Sequence, residues 1–210
     1  MLHTELIPAP DQGSRRVMIM LHGLGDSLEG YRWFAAALQA ELPWLNFLLV
    51  DAPDEYYGGY SWFDFPNNVP PGVVRSRKLL RELLDELPAK GFPADQITLG
   101  GFSQGCLMTL DVGLRYPHKL AGLVGLSGWV YELDGLLKEA SPVAKQQRVL
   151  MTHGTFDEIL PFEEVREQAQ RLQAAGFNVT WREFPKYHTI HGKQEMDVIR
   201  DFVRAGYPGK

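Results

Sequence analysis

The chain has 210 residues, 45% of them apolar and 22% charged, with a formal net charge of −5. That is the profile of a soluble globular protein with a core large enough to need no covalent staples, and its acidic balance argues against nucleic acid as a partner. Cys106 is the only cysteine, so no intrachain disulfide can form, which fits a reducing compartment.

The opening run Met1-Leu2-His3-Thr4-Glu5-Leu6-Ile7-Pro8 lacks a basic segment followed by an apolar stretch, so no signal peptide is expected and the expected location is cytoplasmic. The longest apolar stretch, 120–131, is broken by Gly122, Gly125 and Gly128 and is too short to span a bilayer. Without repeats or linkers, residues 1–210 are expected to form one domain.

Strand-like runs then alternate with helical spacing. The pattern predicts an antiparallel edge strand over 2–7 and strands over 16–21, 45–50, 96–100, 120–126, 148–152 and 179–184. Between them it predicts helices over 31–42, 73–90, 104–116, 163–175 and 193–205. In the second helix Leu79, Leu80, Leu83, Leu84 and Leu87 form one apolar stripe. Several strands are continuously apolar, as when helices cover both faces of a sheet. The expected fold is therefore α/β, a doubly wound, mostly parallel sheet with no large cap domain. One segment resists this scheme. Residues 51–71 show no period but carry Tyr56, Tyr57, Tyr60, Trp62, Phe63 and Phe65. So aromatic a loop, following a strand, is expected to overhang the functional site.

The richest motif is Gly101-Phe102-Ser103-Gln104-Gly105. It fits G-x-S-x-G and sits between a predicted strand and a predicted helix, where a tight turn lifts a serine hydroxyl clear of the sheet. A serine is a weak nucleophile until a base takes its proton, and a histidine oriented by a carboxylate can do so. Downstream, Asp157 follows the strand over 148–152 and is the preferred carboxylate; neighbouring Glu158 is expected to point away, and Asp134 lies in a polar stretch. His188 and His191 both follow the strand over 179–184, and position favours His188. Oxyanion donors are expected at the backbone N–H of Gln104 and at that of Leu24, in the loop Met20-Leu21-His22-Gly23-Leu24-Gly25-Asp26-Ser27.

Five short stretches occur in one order: Leu21-His22-Gly23-Leu24-Gly25-Asp26-Ser27, Ser61-Trp62-Phe63-Asp64, Gly100-Gly101-Phe102-Ser103-Gln104-Gly105, His153-Gly154 with Asp157, and His188-Thr189-Ile190. On them the chain resembles the small carboxylesterase and acyl-protein thioesterase group of α/β hydrolases, the phospholipase/carboxylesterase family, over residues 16–204. The resemblance implies a triad of Ser103, Asp157 and His188, with oxyanion donors at Leu24 and Gln104. It implies hydrolysis of carboxylic esters, and by extension thioesters, through an acyl-enzyme without a cofactor. Lysophospholipase activity is the neighbouring alternative, and a non-catalytic acyl-binding protein is the remote one. Three departures stand out: Cys106 where the family has glycine, Tyr187 where it has a small residue, and Val130-Tyr131-Glu132-Leu133-Asp134 after Trp129.

Trp62, Phe63, Trp129 and Tyr187 are the expected substrate-binding residues. With no room for a deep tunnel, short-to-medium acyl chains are expected to be favoured. His22 and His153 read as structural, His118 as a surface residue and Cys106 as a packed thiol. Arg75, Arg77, Lys78 and Arg81 read as a solvated helix face. His188-x-x-His191 with Glu195 has a spacing that suggests metal ligands, but no partner motif accompanies it, so no metal is expected. The expected partner is a small-molecule or lipid ester, with an acylated protein as the alternative; no stable membrane insertion is expected, and monomer and homodimer stay open.

Overall fold

A computed structural model describes residues 1–207. Seven strands form the main sheet. In chain order they are β1 (Thr4–Ile7), β2 (Arg16–Leu21), β3 (Leu45–Val50), β6 (Ile97–Phe102), β7 (Gly122–Leu126), β8 (Arg148–Gly154) and β9 (Asn178–Phe184). The pair β4 (Asp54–Tyr56) and β5 (Gly59–Ser61) makes a separate hairpin. The main sheet runs in the order β1-β3-β2-β6-β7-β8-β9, and only β1 is antiparallel to its neighbour.

Alternation along the strands explains the two cores. In β2, Val17, Ile19 and Leu21 face one side and Met18 and Met20 the other. The first side is covered by α2 (Val69–Glu86), α3 (Gln104–Gly113), α4 (Leu133–Glu139) and α5 (Phe162–Ala174). The second is covered by α1 (Arg32–Gln39) and α6 (Gly192–Ala205), through Phe34, Ala35 and Leu38 and through Ile199 and Val203. The result is the doubly wound sheet implied by the apolar pattern. Its order reverses at β2: the chain first adds β3 on one side and later β6 on the other. At such a switch point, loops at the carboxyl ends of adjacent strands part and leave a crevice. The loop after β2 and the turn after β6 border it.

Three local expectations are corrected. The aromatic segment is not one irregular loop: it contains the hairpin β4–β5, and its end belongs to α2, which starts at Val69 instead of residue 73. Pro70 and Pro71 fit there because N–H groups in the first turn of a helix have no intrahelical hydrogen bond to lose. Helix α4 was not expected; it is only seven residues long and begins after Glu132 in the left-handed region, too short for periodicity to register. Arg77 does not lie on a solvated face, since its guanidinium bonds the buried Asp111 carboxylate at 2.6 and 3.0 Å.

Candidate active site

Ser103 follows β6 and precedes the first residue of α3, at φ +54° and ψ −115°. This is a strained conformation for a residue with a Cβ, held by its surroundings. The Ser103 N–H donates to the Leu126 carbonyl at 2.9 Å. The flanking glycines are needed for clearance: a Cβ on Gly101 would run into the Gly105 carbonyl, and one on Gly105 into the Leu21 carbonyl.

The Ser103 hydroxyl lies 2.9 Å from His188 Nε2, and His188 Nδ1 lies 2.8 Å from Asp157 Oδ2. A carboxylate can only accept, so Nδ1 carries the proton and Nε2 is left to accept from the serine. Asp157 is buried, whereas Ser103 and His188 are half-buried. Burial works against the Asp157 charge, but the Leu160 N–H, the His188 hydrogen bond and the nearby imidazoles outweigh it and hold the carboxyl below its ordinary range. Its Oδ1 accepts the N–H groups of Ile159 and Leu160 at 3.0 and 2.9 Å, which aims Oδ2 at His188. The Phe102 ring packs 4.9 Å from the His188 ring. His191 is exposed and lies outside this chain of bonds; its backbone N–H donates to Glu195 Oε2 at 2.7 Å.

The loop after β2 lies against the serine: a Cβ on Gly23 would sit 3.4 Å from Ser103 Cβ. Among the described residues, no protein acceptor takes the Leu24 or the Gln104 backbone N–H. Two donors at the switch point are therefore free for an anionic oxygen. Buried His22 shapes this loop. Its Nδ1–H donates to the Gly23 carbonyl at 2.6 Å and its Nε2 accepts from Ala52 N–H at 3.0 Å. Burial pushes its pKa down, so the ring is neutral.

Two of the four residues expected to meet a substrate do not line the surface. Trp62 and Phe63 are 0% exposed, a correction with a visible cause. The Gln104 side chain accepts from Trp62 N–H at 3.0 Å and donates to the Phe63 carbonyl at 3.0 Å, while Trp62 Nε1 donates to the His22 carbonyl at 3.0 Å. This segment is a clamp tying both donor-bearing loops together. Trp129 is half-buried against Phe63 and Phe65, and Tyr187 is exposed against Phe156. Tyr57, Phe65, Phe156, Ile159 and Tyr187 are exposed large apolar side chains in segments after the strands.

His153 is buried beside Asp157 and donates from Nε2 to the Leu160 carbonyl at 2.9 Å. Burial keeps its pKa low. Burial also pushes the Cys106 thiol up to about 12, so it is an inert packed thiol. Glu195 does not form a ligand set with the His188 and His191 rings, because its carboxylate meets Lys186 Nζ at 2.6 Å and the His191 backbone N–H at 2.7 Å. Among the described residues no cluster has the make-up of a metal site, and no helix is long and apolar enough to cross a membrane. Lys186 was given no role in the sequence reading, and Glu195 was weighed there only as a metal ligand, so their pairing was missed. One signal was available: Glu195 occupies the same helical stripe as the core residues Ile199 and Val203, so its charge had to find a buried partner.

The profile of the phospholipase/carboxylesterase family matches residues 2–206. Acyl-protein thioesterase 1 of Schizosaccharomyces pombe is 35% identical over 72% of this chain and 73% of its own. Acyl-protein thioesterase 1 of Gibberella zeae is 30% identical over 98% of this chain and 96% of its own. Among solved structures, the crystal structure of esterase PE8 superposes with a TM-score of 0.88 at 25% identity, covering 97% of this chain and 98% of that one.

Proposed function

This chain belongs to the phospholipase/carboxylesterase family of α/β hydrolases, and on that premise we propose that it hydrolyses carboxylic esters with Ser103 as nucleophile. The observation that carries this reading is the hydrogen-bond chain Asp157–His188–Ser103. The Ser103 proton passes to His188 Nε2 as Oγ attacks the ester carbonyl carbon. The Leu24 and Gln104 N–H groups receive the oxyanion. Collapse of the tetrahedral intermediate expels the alcohol, which takes the proton from His188, and leaves an acyl-enzyme. Water then gives a proton to His188 and attacks the acyl carbon; the acid departs and Ser103 recovers its proton. Asp157 keeps the imidazole in the required tautomer and stabilises its cation throughout. Every step uses groups of this chain and water, and none needs a cofactor.

Thioester cleavage is the second reading, favoured by the thioesterases among the relatives. The same attack serves both, and a thiolate is the easier leaving group. Trp129 and Phe65 on one side and Tyr187 on the other offer apolar surface to an acyl chain. Each methylene covered contributes about 0.8 kcal/mol, so two more carbons raise kcat/KM roughly tenfold while surface lasts. The test is a chain-length series of aryl esters, with a palmitoyl thioester in parallel, on wild type and Tyr187→Gly. The expected optimum is a short-to-medium chain, shifted longer in the variant. A wild type much faster on the palmitoyl thioester than on any ester makes the chain a thioesterase first.

A further inference from the structure

The Lys186–Glu195 pair lies beneath the His188 loop and has no part in the proton transfers above. Both side chains are completely buried, 2.6 Å apart. Lys186 Nζ also donates to the Thr189 carbonyl at 2.7 Å. Glu195 Oε1 accepts from Thr152 Oγ1 at 2.6 Å, and Oε2 accepts the His191 N–H at 2.7 Å. The pair thus grips residues 186, 189 and 191, on both sides of His188, and fastens them to β8 and α6. The Asp157 loop joins the same assembly, because Phe156 N–H donates to the Lys186 carbonyl at 3.1 Å. A Cβ on Gly154 would collide with that carbonyl, so the two loops are in direct contact.

A buried ion pair is a poor source of stability, since two apolar side chains of like volume commonly do as well or better. What it adds is direction, through bonds of fixed length and angle. Packing on the His188 loop comes from Ile190 against the second core and from Phe102 against the His188 ring, whereas Tyr187, Thr189 and His191 are exposed, so fixed-angle bonds complete its hold. The titratable groups near enough to interact electrostatically with Lys186 are Glu195 on α6, Asp157 after β8, Cys106 on α3 and His153 on β8.

We propose that Lys186 and Glu195 are positioning residues that hold His188 in line between Ser103 and Asp157. The proposal rests on the hydrolase reading above and specifies how its base is kept in register. It gives a purpose to a buried charge that helix periodicity places among core residues.

The test pairs Lys186→Met/Glu195→Leu with the near-isosteric Glu195→Gln. For each, kcat, KM and Tm are measured on an aryl ester, with the downfield proton resonance of the His188 Nδ1–H···Asp157 bond. The double variant is expected to fold with Tm near that of wild type. Its kcat is expected to fall about 100-fold with KM changed less than twofold, and the downfield resonance to broaden or vanish, as when a catalytic group is displaced by a fraction of an ångström. Glu195→Gln keeps an acceptor but loses the charge, and a loss of about tenfold in kcat is expected. A folded double variant with kcat within twofold of wild type overturns the proposal. If the double variant does not fold, Glu195→Gln decides, and a kcat within twofold of wild type overturns it. Failure of wild-type Ser103 to react with a fluorophosphonate would instead break the hydrolase reading itself.

Discussion

On one side of Ser103, the loop carrying His188 hangs on buried charge: the Lys186 ammonium, the Glu195 carboxylate and the Asp157 carboxylate. On the other side, the segment Ser61-Trp62-Phe63 is held by neutral bonds to the Gln104 amide and by aromatic burial. The difference matches what each side must do. A base has to meet a hydroxyl within tenths of an ångström, and charge-assisted hydrogen bonds give that angular control. On the hydrolase reading proposed above, the aromatic side only has to hold the two donor-bearing loops together, which packing achieves. Each side also rests on a buried neutral imidazole, His153 under the first and His22 under the second.

The largest test of this contrast is on the charged side. His188→Ala is expected to lower kcat by at least ~10³-fold. His191→Ala removes only an exposed ring and is expected to retain most activity, because its backbone N–H to Glu195 survives the substitution. Steady-state kinetics on one aryl ester decides between them. A dead His191→Ala beside an active His188→Ala would reverse the roles of the two histidines.

A smaller effect is expected from acid, and it acts on both sides. Burial holds His22 and His153 below their usual value of 6.5. Between 6.5 and each folded value, the unfolded chain binds protons that the native state does not. Stability is therefore complete above pH 6.5 and falls as pH drops through that window. Asp157 adds a loss lower down, because its folded pKa lies below the usual 3.8 and the stability it contributes disappears as pH falls past that value. His153→Gln is expected to flatten the first decline, because the variant has no buried imidazole that the unfolded chain protonates more readily. Melting curves between pH 7 and 4.5 check this. An unchanged slope in the variant means that His153 is not a neutral buried group.

The sheet and the serine turn were legible because they are local. Alternating Val17, Met18, Ile19, Met20 and Leu21 reveals a strand with two covered faces, and glycines on both sides of Ser103 reveal a turn that only glycine clears. The burial of Trp62 and Phe63 was not legible. It depends on the Gln104 side chain, some forty positions away in sequence, reaching back to their backbone. Strands of three residues, like β4 and β5, have no room for a period. Asp157 and His188 were picked as residues at strand ends, yet the pair beneath them was missed: Glu195 was weighed only as a metal ligand beside His188 and His191, Lys186 was given no role, and only the helix stripe shows Glu195 facing the core.

The central claim is that the strained turn after β6 delivers a hydroxyl activated by His188. Mapping of a fluorophosphonate adduct by mass spectrometry, with residual activity followed in the same samples, tests it most directly. One adduct on Ser103, formed in step with loss of turnover and absent from an inactive Ser103→Ala variant, is the expected result. An adduct elsewhere, or near-normal turnover in Ser103→Ala, contradicts the account.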